Sequence, residues 1–120
     1  MAAETCSTTP CADPLVGVTA IASNDTLTTL AIKAGALVGW GDNGAGLLGV
    51  DPPVGQAQPW PRALPTTLRG FTAVSTASGH ALAIGAGGQV FAWGQGHRGA
   101  LGLGDDNPRT APTAVMVPSR

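Results

Sequence analysis

Six residues, Gly94-Gln95-Gly96-His97-Arg98-Gly99, spell G-x-G-x-x-G directly after a short apolar run. With that spacing, a tight turn can bring backbone N–H groups onto a pyrophosphate. The chemistry also needs a helix next and an acidic residue about twenty positions later. The next residues are instead Ala100-Leu101-Gly102-Leu103-Gly104-Asp105, a stretch broken by glycine. The matching place earlier in the chain, Gly41-Asp42-Asn43-Gly44-Ala45-Gly46, spaces its glycines differently. The string therefore reads as a turn, and no cofactor is expected.

His80 and His97 are the only histidines, and neither has a Ser, Cys or carboxylate at the spacing of a catalytic group, so no catalytic residue is assigned. His97-Arg98 falls in an exposed turn that can meet a partner. Asp105-Asp106-Asn107 offers oxygen ligands, but a calcium loop spreads them at fixed intervals and closes on a Glu. Local side-chain to backbone bonds explain such a turn equally well. Cys6 and Cys11 have no second ligand pair nearby for zinc. In an oxidising compartment they could close a small disulfide loop. No metal is expected. Asn24-Asp25-Thr26 is formally a glycosylation acceptor, relevant only to a secreted protein.

The elements that carry these residues follow from composition and repetition. Among 120 residues there are 18 glycines and 10 prolines, with 43% hydrophobic and 11% charged residues. That apolar share can build a core, and the turn formers imply many short strands. Every apolar stretch is interrupted before it could cross a bilayer. The net charge is −1 with six scattered basic residues, so no basic patch faces phosphates and no direct nucleic-acid or membrane partner is expected. Residues 1–15 read as a flexible polar leader with neither a basic nor an apolar signal region, which favours an intracellular location.

Self-similarity organises the rest. Leu30-Ala31-Ile32 is echoed by Leu82-Ala83-Ile84, Val38-Gly39-Trp40-Gly41 by Phe91-Ala92-Trp93-Gly94, and Gly46-Leu47-Leu48-Gly49 by Gly99-Ala100-Leu101-Gly102. Upstream, Val18-Thr19-Ala20-Ile21 matches Phe71-Thr72-Ala73-Val74, and Trp40 to Trp93 is a step of 53. Repeat 1 occupies 16–69 and repeat 2 occupies 70–120. In each, two apolar runs joined by a Gly-containing turn read as a hairpin. On the second strand Phe91 and Trp93 share one face, Val90 and Ala92 the other. Neither face is polar, so both are expected to be buried between stacked sheets, with Gly39 and Ala92 admitting a close neighbour. Pro52, Pro53, Pro59, Pro61 and Pro65 remove backbone donors. They make 41–69 a long connection in which Trp60 stands outside the repeat, either filling a gap or exposed for contact. The fold class is all-β: two blade-like antiparallel sheets of an incomplete β-propeller.

His80-Ala81-Leu82-Ala83-Ile84, then Gly88-Gln89-Val90-Phe91-Ala92-Trp93-Gly94 and Gly99-Ala100-Leu101-Gly102-Leu103-Gly104-Asp105, resemble the repeat of the regulator of chromosome condensation family. Repeat 1 is a weaker copy, with Thr28 where repeat 2 has His80. The resemblance covers about residues 16–117. It implies a propeller scaffold whose structural positions here are Trp40, Gly41, His80, Trp93, Gly94, Gly99, Leu101 and Gly102. Activities on this scaffold differ among members. The family includes a plant ultraviolet-B photoreceptor marked by a Gly-Trp-Arg-His-Thr string, which this sequence lacks, so that role is not carried over.

These features predict a non-enzymatic protein-interaction module, either part of a larger propeller or one that completes itself by self-association. Its contacts would come from rim residues Trp60, His97, Arg98, Asp105 and Asp106. Two alternatives rest on the resemblance. One is a guanine-nucleotide-exchange regulator of a small GTPase. The other is a secreted inhibitor like the family's β-lactamase inhibitor.

Overall fold

The computed structural model describes residues 14–49, 54–96 and 99–117. Strands β1 (Val18–Ser23), β2 (Thr28–Lys33), β3 (Ala36–Gly41) and β4 (Gln58–Ala63) form one antiparallel sheet in chain order. A second sheet repeats that order with β5 (Ala73–Ala77), β6 (His80–Ile84), β7 (Val90–Gly94) and β8 (Arg109–Ala114). The chain is all-β, and each sheet has the up-and-down form of a propeller blade.

Register shows how close the two copies are. Leu30 faces Gly39 and Ala31 faces Val38, as Leu82 faces Ala92 and Ala83 faces Phe91. Thr28 pairs with Gly41 as His80 pairs with Gly94, so these two positions are equivalent. Leu30 to Leu82 is a step of 52 rather than the 53 of the tryptophans, and the difference lies in the turns. The first hairpin turn is longer in repeat 1 and the second is longer in repeat 2.

The proline-rich connection needs correcting, because Pro59 and Pro61 lie inside β4, which pairs with β3. β4 is an edge strand, and only alternate donors of an edge strand face its neighbour. Leu64 N–H donates to the Leu37 carbonyl, so two residues back Arg62 points its N–H inward and Pro61 sits where none is required. β8 tolerates Pro112 in the same way, beside Val115 N–H donating to the Val90 carbonyl. Gln58 and Arg109 pair with Gly41 and Gly94, and Ala63 and Ala114 with Val38 and Phe91. Trp60 therefore occupies a repeat position, the counterpart of Ala111.

The sheets pack through unlike faces. Leu30, Ile32 and Leu37 of the first meet Ala81, Ala83, Phe91 and Trp93 of the second in one buried cluster. Phe71, from the link before β5, sets its ring edge-on to Phe91 with centroids 5.5 Å apart, an arrangement aromatic pairs favour. Burial of both faces holds in part: Phe91 and Trp93 are buried on one face and Ala92 on the other, while Val90 beside Ala92 is exposed, because the neighbouring sheet covers a single face. Gly39 is crowded, but a Cβ there would lie 2.6 Å from a Leu48 methyl and 2.9 Å from a Leu30 methyl, both within its own repeat.

Candidate functional site

In a meander, alternate connections emerge at the same end. The turns after β1 and β5 and the loops after β3 and β7 therefore form one rim. Hydrogen bonds tie the two repeats together there. Asn24 Nδ2 donates to the Ala77 carbonyl at 3.0 Å, and the Ser78 hydroxyl donates to the Asp25 carboxylate. Trp93 Nε1 donates to the Leu47 carbonyl at 2.8 Å, anchoring the first repeat's loop on the second sheet.

That loop is wound around a side chain the sequence did not single out. Asn43 is fully buried. Its Nδ2 donates to the Gly49 carbonyl at 3.0 Å, and its Oδ1 accepts from Leu48 N–H at 2.8 Å. Its carbonyl accepts from Gly46 N–H and Gly55 N–H. One amide thus satisfies loop groups that would be costly to bury unpaired. Repeat 2 has Gly96 at the equivalent place, where a Cβ would meet the Asn107 carbonyl at 2.3 Å. Different devices hold equivalent loops. Yet Gly99 and Gly102 N–H donate to the Gly96 and Gly99 carbonyls just as Gly46 and Gly49 donate to Asn43 and Gly46.

The rim gathers negative charge. Asp25, Asp42, Asp105 and Asp106 all lie on it, and Arg109 is the single cation among its described residues. The opposite end, among described residues, carries Lys33 and Arg69 and no carboxylate. Three of the rim Asp side chains also shape their own loops, while Asp25 reaches across to Ser78. Asp42 accepts from Gly44 N–H at 2.9 Å, Asp106 from Gly99 N–H at 3.0 Å and Asp105 from Asn107 N–H at 2.9 Å. Arg109 closes on Asp105 with an Nη2 to Oδ2 contact of 3.1 Å. Among the described residues no three His, Cys, Asp or Glu side chains gather as a metal site would.

The Arg109 hydrogen bond, followed by that of Asn107 N–H, holds the Asp105 carboxyl below its ordinary value of 3.8. A carboxyl lowered in the folded chain stabilises it above the unfolded pKa, and that contribution is lost as pH falls through the folded pKa. At neutral pH the clamp is fully present. A carbon-detected NMR titration should show Asp105 titrating below 3.8, and Arg109→Gln should move it upward. An unmoved midpoint in that variant would mean that Arg109 does not hold the carboxyl.

Of the sequence-derived contact residues, Asp105 and Asp106 share the loop after β7. Trp60 lies on β4 of the other sheet, half-buried, and its Nε1 has no acceptor among the described residues. His97 and Arg98 lie outside the described residues, as do Cys6 and Cys11. His80 is half-buried at the start of β6, and its imidazole makes no side-chain hydrogen bond among the described residues. Trp93 and Leu101 are buried, whereas Trp40 is half-buried on the open face of the first sheet. Gly41, Gly94, Gly99 and Gly102 all take positive φ. Asn24 uses its amide on Ala77 and its carbonyl oxygen on Thr26 and Thr28, so the glycosylation triplet is a structural turn.

Comparison with known proteins agrees with this architecture. The profile described as Regulator of chromosome condensation (RCC1) repeat matches residues 87–120. The Ultraviolet-B receptor UVR8 of Arabidopsis thaliana is 35% identical over 88 residues, covering 72% of this chain and 20% of the receptor. Prp20p of Saccharomyces cerevisiae, described with its binding properties to Gsp1p and histones, superposes with a TM-score of 0.71 at 23% identity. That match covers 83% of this chain and 26% of Prp20p. Yeast RCC1 (Prp20) bound to Kap60 gives a TM-score of 0.73 at 24% identity over 88% of this chain and 26% of the other. The chain thus spans about a fifth to a quarter of the length of these proteins.

Proposed function

Because this chain belongs to the regulator of chromosome condensation (RCC1) repeat family, we propose that it acts as a non-enzymatic protein-interaction module whose contact surface is the acidic rim. The observation that carries this reading is the gathering of Asp25, Asp42, Asp105 and Asp106 at one end of both sheets. Loops on a rigid scaffold are where binding function resides. Their local bonds fix the carboxylates in place and leave oxygen lone pairs for a partner. Such a surface suits a basic protein and repels phosphates, which argues against direct contact with nucleic acid. Histones, described with Prp20p, supply a defined probe of that chemistry.

Titration of the fluorescently labelled chain with purified histones should give saturable binding that weakens as salt rises. Replacing Asp42 and Asp106 by Asn should weaken it further. Replacing Lys33 and Arg69 at the opposite end should leave it unchanged. Equal binding by both sets of variants would remove the rim from the reading. No binding at low salt would overturn the basic-partner assignment.

A further inference from the structure

The buried amide at the centre of the first repeat's loop is followed by glycine, and Asn43-Gly44 carries a chemistry of its own. Asparagine is a thermolabile side chain. The Gly44 backbone nitrogen can attack Asn43 Cγ and form the new C–N bond of a cyclic succinimide. The Cγ–Nδ2 bond breaks, the Gly44 N–H proton passes through water to the departing nitrogen, and ammonia leaves. Water then adds to either ring carbonyl and opens it to aspartate or isoaspartate. Water is consumed and ammonia released, with no oxidation. Glycine suits the step because no side chain shields its nitrogen. The other asparagines are poorer sites: Asn24 precedes Asp25, which has a side chain, and Asn107 precedes Pro108, which has no N–H.

The folded loop opposes every part of this reaction. Asn43 is 0% exposed, so water is kept from its amide. The leaving nitrogen Nδ2 is held by the Gly49 carbonyl at 3.0 Å, and Oδ1 by Leu48 N–H at 2.8 Å. The attacking nitrogen is engaged too, its N–H donating to the Asp42 carboxylate at 2.9 Å. Bringing nitrogen and Cγ to bonding distance requires the side chain to leave its partners. Gly44 is nonetheless exposed, so opening this loop alone is enough to free the pair.

Conversion would not be undone by reclosing. An aspartate at this place turns an oxygen toward the Gly49 carbonyl where a donor stood, and buries a charge. Isoaspartate inserts a methylene into the main chain. Either product opposes a loop that presents the Leu47 carbonyl to Trp93 Nε1. Repeat 2 has Gly96 at the equivalent place and no amide to lose.

We infer that Asn43 is a spontaneous deamidation site, silenced by the folded loop and converted when that loop opens, and that conversion releases the loop from the second sheet irreversibly. Water is the co-reactant, and no partner of the acidic rim takes part.

Incubating the chain in mildly alkaline buffer, folded or in urea, and mapping its peptides by mass spectrometry reads the conversion at Asn43. The folded chain should convert roughly tenfold or more slowly than the unfolded one. Gly44→Ala, compared in urea where folding is not at issue, should slow the reaction. The deamidated chain, separated by its added negative charge and returned to native buffer, should unfold at a lower urea concentration. Its Trp93 indole N–H should lose protection from hydrogen exchange. No conversion in urea, or equal rates in the folded and unfolded chains, overturns the silenced site. A deamidated chain that keeps its urea midpoint, or its Trp93 protection, overturns the release.

Discussion

Trp93→Ala should lower the unfolding free energy by about 3–5 kcal/mol, the usual cost of deleting a large buried aromatic side chain. Trp93 is completely buried where the sheets meet, and its N–H holds the Leu47 carbonyl. Removing it empties the middle of the apolar interface between the two sheets and leaves that carbonyl unpaired. A chain of this length has about 6–18 kcal/mol of total stability, so one substitution takes a large share. Trp93→Phe separates the two contributions. It keeps most of the apolar area and loses the N–H, which should cost about 1–3 kcal/mol. Trp60→Phe removes an N–H that has no acceptor among the described residues, so it should cost less than Trp93→Phe. Urea denaturation of the three variants measures this directly. Equal losses for the two Phe variants would mean that the Leu47 contact contributes nothing.

Trp93 also shows what local sequence can and cannot reveal. The echo of Gly39-Trp40-Gly41 in Ala92-Trp93-Gly94 identified the repeat, and alternation along each run placed the hairpins. These are periodic signals, and backbone geometry repeats with them. The two tryptophans nonetheless have different environments, because burial of a repeat position depends on which sheet lies beside it. The same reason separates Ile32 from Ile84. The fourth strand was hidden by Pro59 and Pro61, since the rule against proline in ladders applies only to donors that face a partner. Pro61 and Pro112 in equivalent register were the available signal. Asn43 could not be recognised, because its role lies in closing a loop around itself rather than in a spacing. The acidic rim was scattered along the sequence. It became a surface only once the meander brought alternate connections to one end.

Gly94→Ala should cost about as much as deleting a buried side chain, although it adds an atom rather than removing any. Gly94 has φ 106°, and a Cβ there would lie 2.4 Å from the Gly79 carbonyl oxygen and 2.7 Å from a Leu47 methyl. Leu47 can swing away, but the Gly79 carbonyl cannot, because it accepts the Gln95 N–H at 2.7 Å. Left-handed backbone alone costs an L-residue about 1–2 kcal/mol, and overpacking against fixed backbone adds about 1–3 kcal/mol. The sum is about 2–5 kcal/mol. Gly41 is the repeat counterpart, with φ 98° and a Cβ position 2.1 Å from the Leu27 carbonyl oxygen. That carbonyl is likewise fixed, here by Asp42 N–H at 2.9 Å. Gly41→Ala should therefore be as severe, even though its strand borders an open face. Gly87→Ala is the control: φ is 75° but nothing lies within 4 Å of the added carbon, so only the backbone penalty applies. If thermal unfolding shows all three variants shifted equally, conformation alone explains the glycines and the contact of the strand ends with the rim turns is irrelevant. A larger loss for Gly41 and Gly94 would show that these glycines are required by the approach of the rim turn, which sets the distance between each tryptophan strand and the loops above it.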